Sequence, residues 1–410
     1  MHPVQRLAAF ACILLLPTCL TSHGAVETCI TKPAVMMALV KDAQGTMLFD
    51  NDIAYSCFSH FKLENSNCEK VKLLGVTFED VVMQRVSLEE TYIGASKDPQ
   101  ETVAFVGGKL HTCNGTSLKV YDTTFAPSHT ADTTAPAPPR FSYNNFSKSR
   151  WERVKFAPGH LFEHDDFSHA TVAHATFAPG TELQDEDFYK ATIHDTTFTR
   201  CMLTENNFSE TKFKQVVFHG CTFNSATSFL GSTLDSVKFI DCNFVGETNF
   251  LESNLKKVAF ANCRFEKLDL SGSTLKNVVF RDCEVASSLD CIEANLTLVY
   301  FGNSDPRDDD DNRHALVPAP RRIIANLNLC NTKMKHTRFY RYLLREANFS
   351  HTKFNECSFA YCHIPDGNFV RSHHTSTTFT ACALQGADYS ASKHKKTHFD
   401  RGNLCGSQFA

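Results

Sequence analysis

From Leu329 onward a large apolar or aromatic residue recurs at every fifth position: Met334, Phe339, Leu344, Phe349, Phe354, Phe359, Ile364 and Phe369. The same step continues through His374, Phe379, Leu384, Tyr389, His394, Phe399, Leu404 and Phe409. Two residues before most of these sits a smaller one, as at Thr332, Thr337, Ala347, Thr352, Cys357 and Cys362. Neither an α-helix nor a β-strand has period five. The pattern predicts a backbone that turns a corner every five residues. The large residue points inward, the small one fills the corner and the other three face outward. Four such sides close a square coil of about 20 residues, and coils stack at the ~4.8 Å strand spacing.

The middle of the chain carries the same pattern with insertions. Phe156, Phe177, Phe198, Phe218, Phe239, Phe260, Phe280 and Phe301 follow one another at steps of 21, 21, 20, 21, 21, 20 and 21. Each is one side of a successive coil, and the longer steps are read as one extra residue at a fixed corner. The Ala-Pro-Gly after Phe156 and after Phe177 is read as the same insertion. Leu73, Phe78, Met83, Leu88 and Ile93 make a short earlier run. The expected organisation is a signal peptide (1–25) and an N-terminal cap region (26–140). The cap holds the short run (71–93) and a Pro/Thr-rich linker (126–140). A solenoid (141–303), an acidic loop (304–328) and a C-terminal solenoid (329–410) follow, giving about twelve coils in all.

Composition sharpens this picture. The 410 residues are 42% hydrophobic, with 35 Phe, 17 Cys and a single Trp, so many equivalent positions demand one bulky planar side chain. Net charge is -4, which gives no electrostatic footprint for nucleic acid. The start of the chain reads as a secretory leader. Arg6 precedes an apolar run from Leu7 to Leu20, and Ser22 to Ala25 offer small residues for cleavage. That run is too short to span a bilayer, and no later stretch is long enough either. Five Asn-x-Ser/Thr sequons, at Asn114, Asn145, Asn207, Asn295 and Asn348, agree with a secreted or luminal glycoprotein.

Ala294-Asn295-Leu296, Ala347-Asn348-Phe349 and Ala387-Asp388-Tyr389 resemble the core motif of the pentapeptide-repeat family. The resemblance implies an all-β fold, a right-handed quadrilateral β-helix whose members bind by surface shape and charge. The Phe-x-x-Cys-x-Phe pattern at Phe218–Phe223, Phe239–Phe244 and Phe260–Phe265 is similar to the luminal domain of synaptic-vesicle membrane glycoproteins. The transporter helices flanking that domain have no counterpart here.

Candidate chemistry is sparse. Cys201, Cys221, Cys242, Cys263 and Cys283 recur coil by coil and are read as small buried hydrophobes, because stacked side chains run parallel and do not converge on a metal. Cys29, Cys57, Cys68 and Cys113 lie outside the long ladder and are candidate disulfide cysteines, with the pairing open. His164, His169 and His174 fall on successive sides and point apart. His374 and His394, 20 apart at the inward position, form a candidate pH-sensitive pair. The acidic loop from Asp305 to Asp311 lacks the spacing of a dedicated calcium loop. No catalytic motif appears, and neither a metal nor a cofactor is expected. The leading expectation is a non-catalytic scaffold for protein or glycan partners. The alternatives are a structural protein associating end to end and an acidic DNA mimic, the latter disfavoured by the modest charge and the leader.

Overall fold

The computed structural model describes residues 62–409 except 75, 80, 95–102, 128–137, 225–226 and 303–321, together with short strands between residues 40 and 59. The signal segment and Cys29 lie outside the described residues, as does the Asp305–Asp311 stretch. Among the described residues all regular elements are β-strands, mostly of three residues. The chain divides into two compact units, Met1–Thr181 and Glu182–Ala410.

The second unit is a parallel β-solenoid with square coils. Its first face stacks ten strands from Thr192–His194 to Lys393–Lys395, and its second stacks ten from Thr197–Thr199 to His398–Asp400. The third face begins at Glu182–Gln184 and includes Tyr342–Leu344. The fourth is a column of single bridges such as Asp187↔Asn207, Asn348↔Asn368 and Asp388↔Gln408. Equivalent residues pair in register on successive coils: Phe218↔Phe239, Phe239↔Phe260, Phe280↔Phe301 and Phe301↔Phe339. The first unit is built the same way. Leu73, Ile93, Val120, Trp151 and Val172 stack on one face, and Phe78, Phe105, Phe125, Phe156 and Phe177 stack on the next.

Two forces hold each coil. The first is aromatic stacking: Phe239 lies parallel to Phe218 at 5.0 Å and to Phe260 at 4.8 Å between ring centroids, and meets Phe229 edge-on. The rings are fully buried, so each combines area burial with the preferred quadrupole geometry. The second is a backbone bond at most corners. Corner residues adopt the left-handed conformation even when they are not glycine, with φ of 47° at Arg200, 54° at Asp241 and 57° at Glu252. That conformation costs roughly 1–2 kcal/mol for an L-residue. It is offset because it aims the corner N–H at the next coil, as in Arg200 N–H to His219 O (2.7 Å) and Asp241 N–H to Ala261 O (2.9 Å).

Three expectations need correction. Residues 103–126, expected to belong to a cap region, form part of the coil: Phe105, Leu110, Val120 and Phe125 occupy inward positions at a five-residue step and pair with both neighbouring coils. The step was hidden because Ile93 and Phe105 are twelve apart and Phe125 and Phe141 sixteen. Likewise Arg322–Ile324 and Leu327–Asn328 already belong to the third face, so the coil resumes before residue 329. Finally, the extra residues sit at two corners. In the second unit the register shifts just after Phe244 and Phe265, past the third face. In the first unit Ala157-Pro158-Gly159 bulges one corner earlier, with Gly159 at φ 79°.

Because Phe239 is sandwiched in the stack, Phe239→Ala is expected to destabilise the second unit by about 3–5 kcal/mol, the range for truncating a buried Phe. Chemical denaturation of the two proteins checks this, and wild-type stability would overturn the inward register.

Candidate functional site

The small inward positions are hydrogen-bond donors as well as fillers. At one corner of the second unit the Sγ of Cys221, Cys242, Cys263 and Cys283 each lies 3.4 Å from the carbonyl of the Phe one coil back: Phe198, Phe218, Phe239 and Phe260. Thr211, Ser253 and Thr332 make the equivalent bond at another corner, at 2.6, 2.7 and 2.6 Å. Reading the cysteines as pure hydrophobes missed this. The position wants a short side chain with one donor, and Ser, Thr and Cys all satisfy it. The column also extends further than the five-residue run. After Tyr342, whose hydroxyl donates to Cys283 O at 2.9 Å, come Cys362 and Cys382, both buried. Hydrogen bonding with the neighbouring thiols Cys221 and Cys263, and then burial, raise the pKa of Cys242, and burial pushes the Cys357 thiol up to about 11.

Cys68 and Cys113 are core residues of the first unit and not surface staples. Both are buried free thiols, and Cys113 Sγ donates to Met83 O at 3.5 Å. Burial raises the pKa of both, that of Cys113 to about 11. Cys57 lies in the strand Cys57–Ser59; its side chain and Cys29 are outside the described residues.

Four of the five sequon asparagines fall on the fourth face. There the side-chain oxygen of Asn114, Asn145, Asn207 and Asn348 accepts from the N–H two residues on, at 3.2, 2.9, 3.0 and 3.0 Å. This Asx turn caps the corner. Asp166, Asp187, Asp269, Asn328, Asn368 and Asp388 do the same. The Asn207 and Asn348 amides also donate along the column, to Asp187 (3.0 Å) and Asn328 (3.2 Å). The repeated Asn-Phe-Ser is therefore a turn signature in its own right. Asn295 differs: it lies on the strand Asn295–Thr297 of the first face.

His374 is buried between Phe354 (4.4 Å) and His394 (4.7 Å), all three rings nearly parallel. Its Nε2 pairs with Ser372 Oγ at 2.8 Å, and its Nδ1 has no partner. Burial, then His394 and His373, lowers its pKa to about 3. His394 stacks as expected and burial lowers its pKa too, but it is exposed, so of this pair only His374 is a core histidine. His164, His169 and His174 occupy three successive left-handed corners, with φ of 56°, 58° and 51°. Two buried polar groups escaped the sequence reading because they interrupt no period. His160 is enclosed by Phe141 and Phe162, with neither ring nitrogen hydrogen-bonded, and burial lowers its pKa to about 3. Asp165 accepts from the Asn144 backbone and side chain at 2.7 and 2.8 Å, and burial raises its pKa to about 8.

A parallel square-coiled β-solenoid with Phe at the large inward position and Ala, Ser, Thr or Cys before it defines a class of repeat protein. The family model for a pentapeptide repeat region matches residues 179–243 and 232–306, and that for pentapeptide repeats (8 copies) matches 325–359. Over these segments the chain matches the repeats of the pentapeptide-repeat family. No curated protein sequence matches the chain. Solved structures similar to it include full-length QnrB1, a plasmid-mediated fluoroquinolone resistance protein (12% identity, 58% of this chain and 92% of that one, TM-score 0.21). HetL, involved in heterocyst differentiation regulation in the cyanobacterium Nostoc sp. strain PCC 7120, is another (12%, 63% and 87%, TM-score 0.16). A third is the periplasmic alginate epimerase AlgG (8%, 76% and 80%, TM-score 0.30). At these scores the likeness says nothing about what this chain does. The similarity to the luminal domain of synaptic-vesicle glycoproteins is not shown.

Two measurements check this site. Alkylation of the native protein is expected to label exposed Cys405 first and to spare Cys221, Cys242 and Cys263 until denaturation; early labelling of the three would contradict the packing. For the histidines, the folded pKa lies below the unfolded value of about 6.5. The unfolded state then binds more protons, and stability is lost as pH falls from about 6.5 toward 3. Hydrogen exchange at pH 5 is expected to show residues 369–409 losing protection before residues 229–301. The double change His374→Phe and His394→Phe should abolish that difference. Equal protection at pH 7.5 and pH 5 in the wild type would rule the switch out.

Proposed function

We propose that the chain is a secreted, non-catalytic glycoprotein that binds protein or glycan partners on its outer β-solenoid faces. The observation that carries this reading is where the reactive side chains lie. The column thiols and His374 are buried and bonded within the coil or ringed by aromatics. The three-residue strands meanwhile present their flanking residues outward on flat faces. A scaffold whose interior is consumed by its own packing is left with its surface to work with. The leader-like start and the sequons support a secretory route.

The test uses the full chain expressed in a cell with a secretory pathway. The expected product is found in the medium, begins near residue 25 or 26, and is lighter after glycosidase treatment. Site occupancy is most informative at Asn295, because the four fourth-face asparagines are accounted for by their turns. A product retained in the cytosol with Asn295 unmodified would overturn the secretory part of the reading. Monomeric sedimentation at all concentrations separates a binding scaffold from a rod that assembles end to end.

A further inference from the structure

The net charge of -4 conceals a strongly basic face. On the first face of the second unit three strands carry lysine at both outward positions: Lys212–Lys214, Lys333–Lys335 and Lys393–Lys395. Lys256, Lys276 and Lys353 supply one each. From residue 182 onward the sequence has 14 lysines, so nine of them share one of four faces. The single acid at an outward position of this face is Asp235, which pairs with Lys256 at 3.0 Å.

The charge is most concentrated on the four adjacent strands Lys333–Lys335, Lys353–Asn355, His373–Thr375 and Lys393–Lys395. Their outward positions hold five exposed lysines and no acid. None of the five has an ion pair among the described residues. Arg371 and Lys396 stand at the two edges, and Glu356, the nearest corner acid, is engaged by His336 at 3.2 Å. Like charges are set directly opposite one another where Lys333 is the register partner of Lys353. Such pairs are destabilising unless an anion lies between them.

We propose that this face is the docking site for a linear sulfated polysaccharide lying across the stacked strands. The side-chain chemistry selects that ligand among polyanions. No Phe, Tyr or Trp occupies an outward position of this face in the second unit, so unpaired nucleobases find none of the large rings they stack on. No large apolar one does either, which leaves nothing to insert into a lipid surface. The cations are lysines without arginine, point charges that suit isolated sulfate groups. The intervening Thr274, Asn295, Thr297, Asn355 and Thr375 present hydrogen-bonding groups at the height of sugar hydroxyls. Asn295 lies on the same face between Lys276 and Lys333, so a glycan there would confine the ligand to one side of it. This proposal rests on the reading of the chain as a binding scaffold and names one ligand class and one face for it.

The experiment titrates heparin into the full-length protein at physiological salt, with desulfated heparin, duplex DNA and phosphatidylserine vesicles as parallel probes. The triple change Lys333→Ser, Lys353→Ser and Lys395→Ser is expected to weaken heparin binding by about a hundredfold. A control with the same loss of charge elsewhere, Lys190→Ser, Lys238→Ser and Lys267→Ser, should stay within about twofold of wild type. The face variant should melt no lower than wild type, because it removes a like-charge pair. Independently of any variant, heparin should protect Lys333, Lys335, Lys353, Lys393 and Lys395 of the wild-type chain from acetylation. Equal loss in both triples, tighter binding of DNA or vesicles, undiminished binding of desulfated heparin, or unprotected lysines would each overturn the assignment. Capture of cell-surface proteins without heparin binding would leave the scaffold reading standing and remove this one.

Discussion

A backbone that bonds to the coil above it along its sides and at most of its corners puts each side chain about 4.8 Å from its counterpart on the next coil. That spacing is the constraint on which the rest depends. It sets the stacking distance of the Phe column, whose centroids lie 4.6 to 5.0 Å apart from Phe218 through Phe339. It places a thiol or hydroxyl within reach of the carbonyl one coil back. It also lets a column of Asn and Asp side chains run along the fourth face, with Asn amides donating to the Asp or Asn oxygen one coil back. A side chain is tolerated at an inward position when a copy of itself, or something of similar shape, can sit above and below it. His374 shows the logic: an imidazole is flat enough to continue a stack of phenyl rings, so the column accepts it and the coil is undisturbed.

The fold was legible because the period is short and its signal large. Phe at every fifth position admits no helical or alternating-strand reading, and the same register predicts the burial of Phe239, Leu255 and Phe354. What stayed hidden lay where the period was broken by length or by composition. Phe105 to Phe125 form a full coil, yet two insertions detach them from their neighbours, and a residue-counting argument cannot restore a register across an insertion of unknown shape. Backbone pairing restores it at once, because Phe105 finds both Phe78 and Phe125. The placement of the Ala-Pro-Gly bulge failed for a related reason. One extra residue lengthens a coil by the same amount at any corner, so coil length alone does not say which corner holds it.

Polar groups in the interior were illegible for a different reason. Asn144, Asp165 and His160 stand at positions where the pattern asks only for something small or compact, so nothing in the period marks them. Their burial has an energetic cost that hydrogen bonding offsets for Asn144 and Asp165 and that nothing offsets for the ring nitrogens of His160. The sequons posed the opposite difficulty. They stood out as a modification signal, whereas the Asx turn already requires Asn or Asp followed by the large inward residue. A motif that the fold generates for its own purposes loses weight as evidence for anything else, which is why Asn295, off that face, says more about compartment than the other four.

Whole-chain charge is the wrong quantity for a solenoid. In a globular domain side chains of both signs are scattered over one surface, and the net value approximates what a partner meets. Here the outward residues of each five-residue side are sorted onto separate faces, and every coil repeats the sorting. A chain at -4 can then present a strip of lysines on one face while its glutamates and aspartates line corners and other sides. The field a partner meets is set by the nearest face within a Debye length of about 8 Å at physiological salt, and charges around the corner are partly screened. The composition that argued against a polyanion therefore averaged over surfaces that no single ligand touches together. Charge summed at matching positions of the repeat exposes the lysine face in the sequence itself, where nine of the fourteen lysines from residue 182 onward fall on one side.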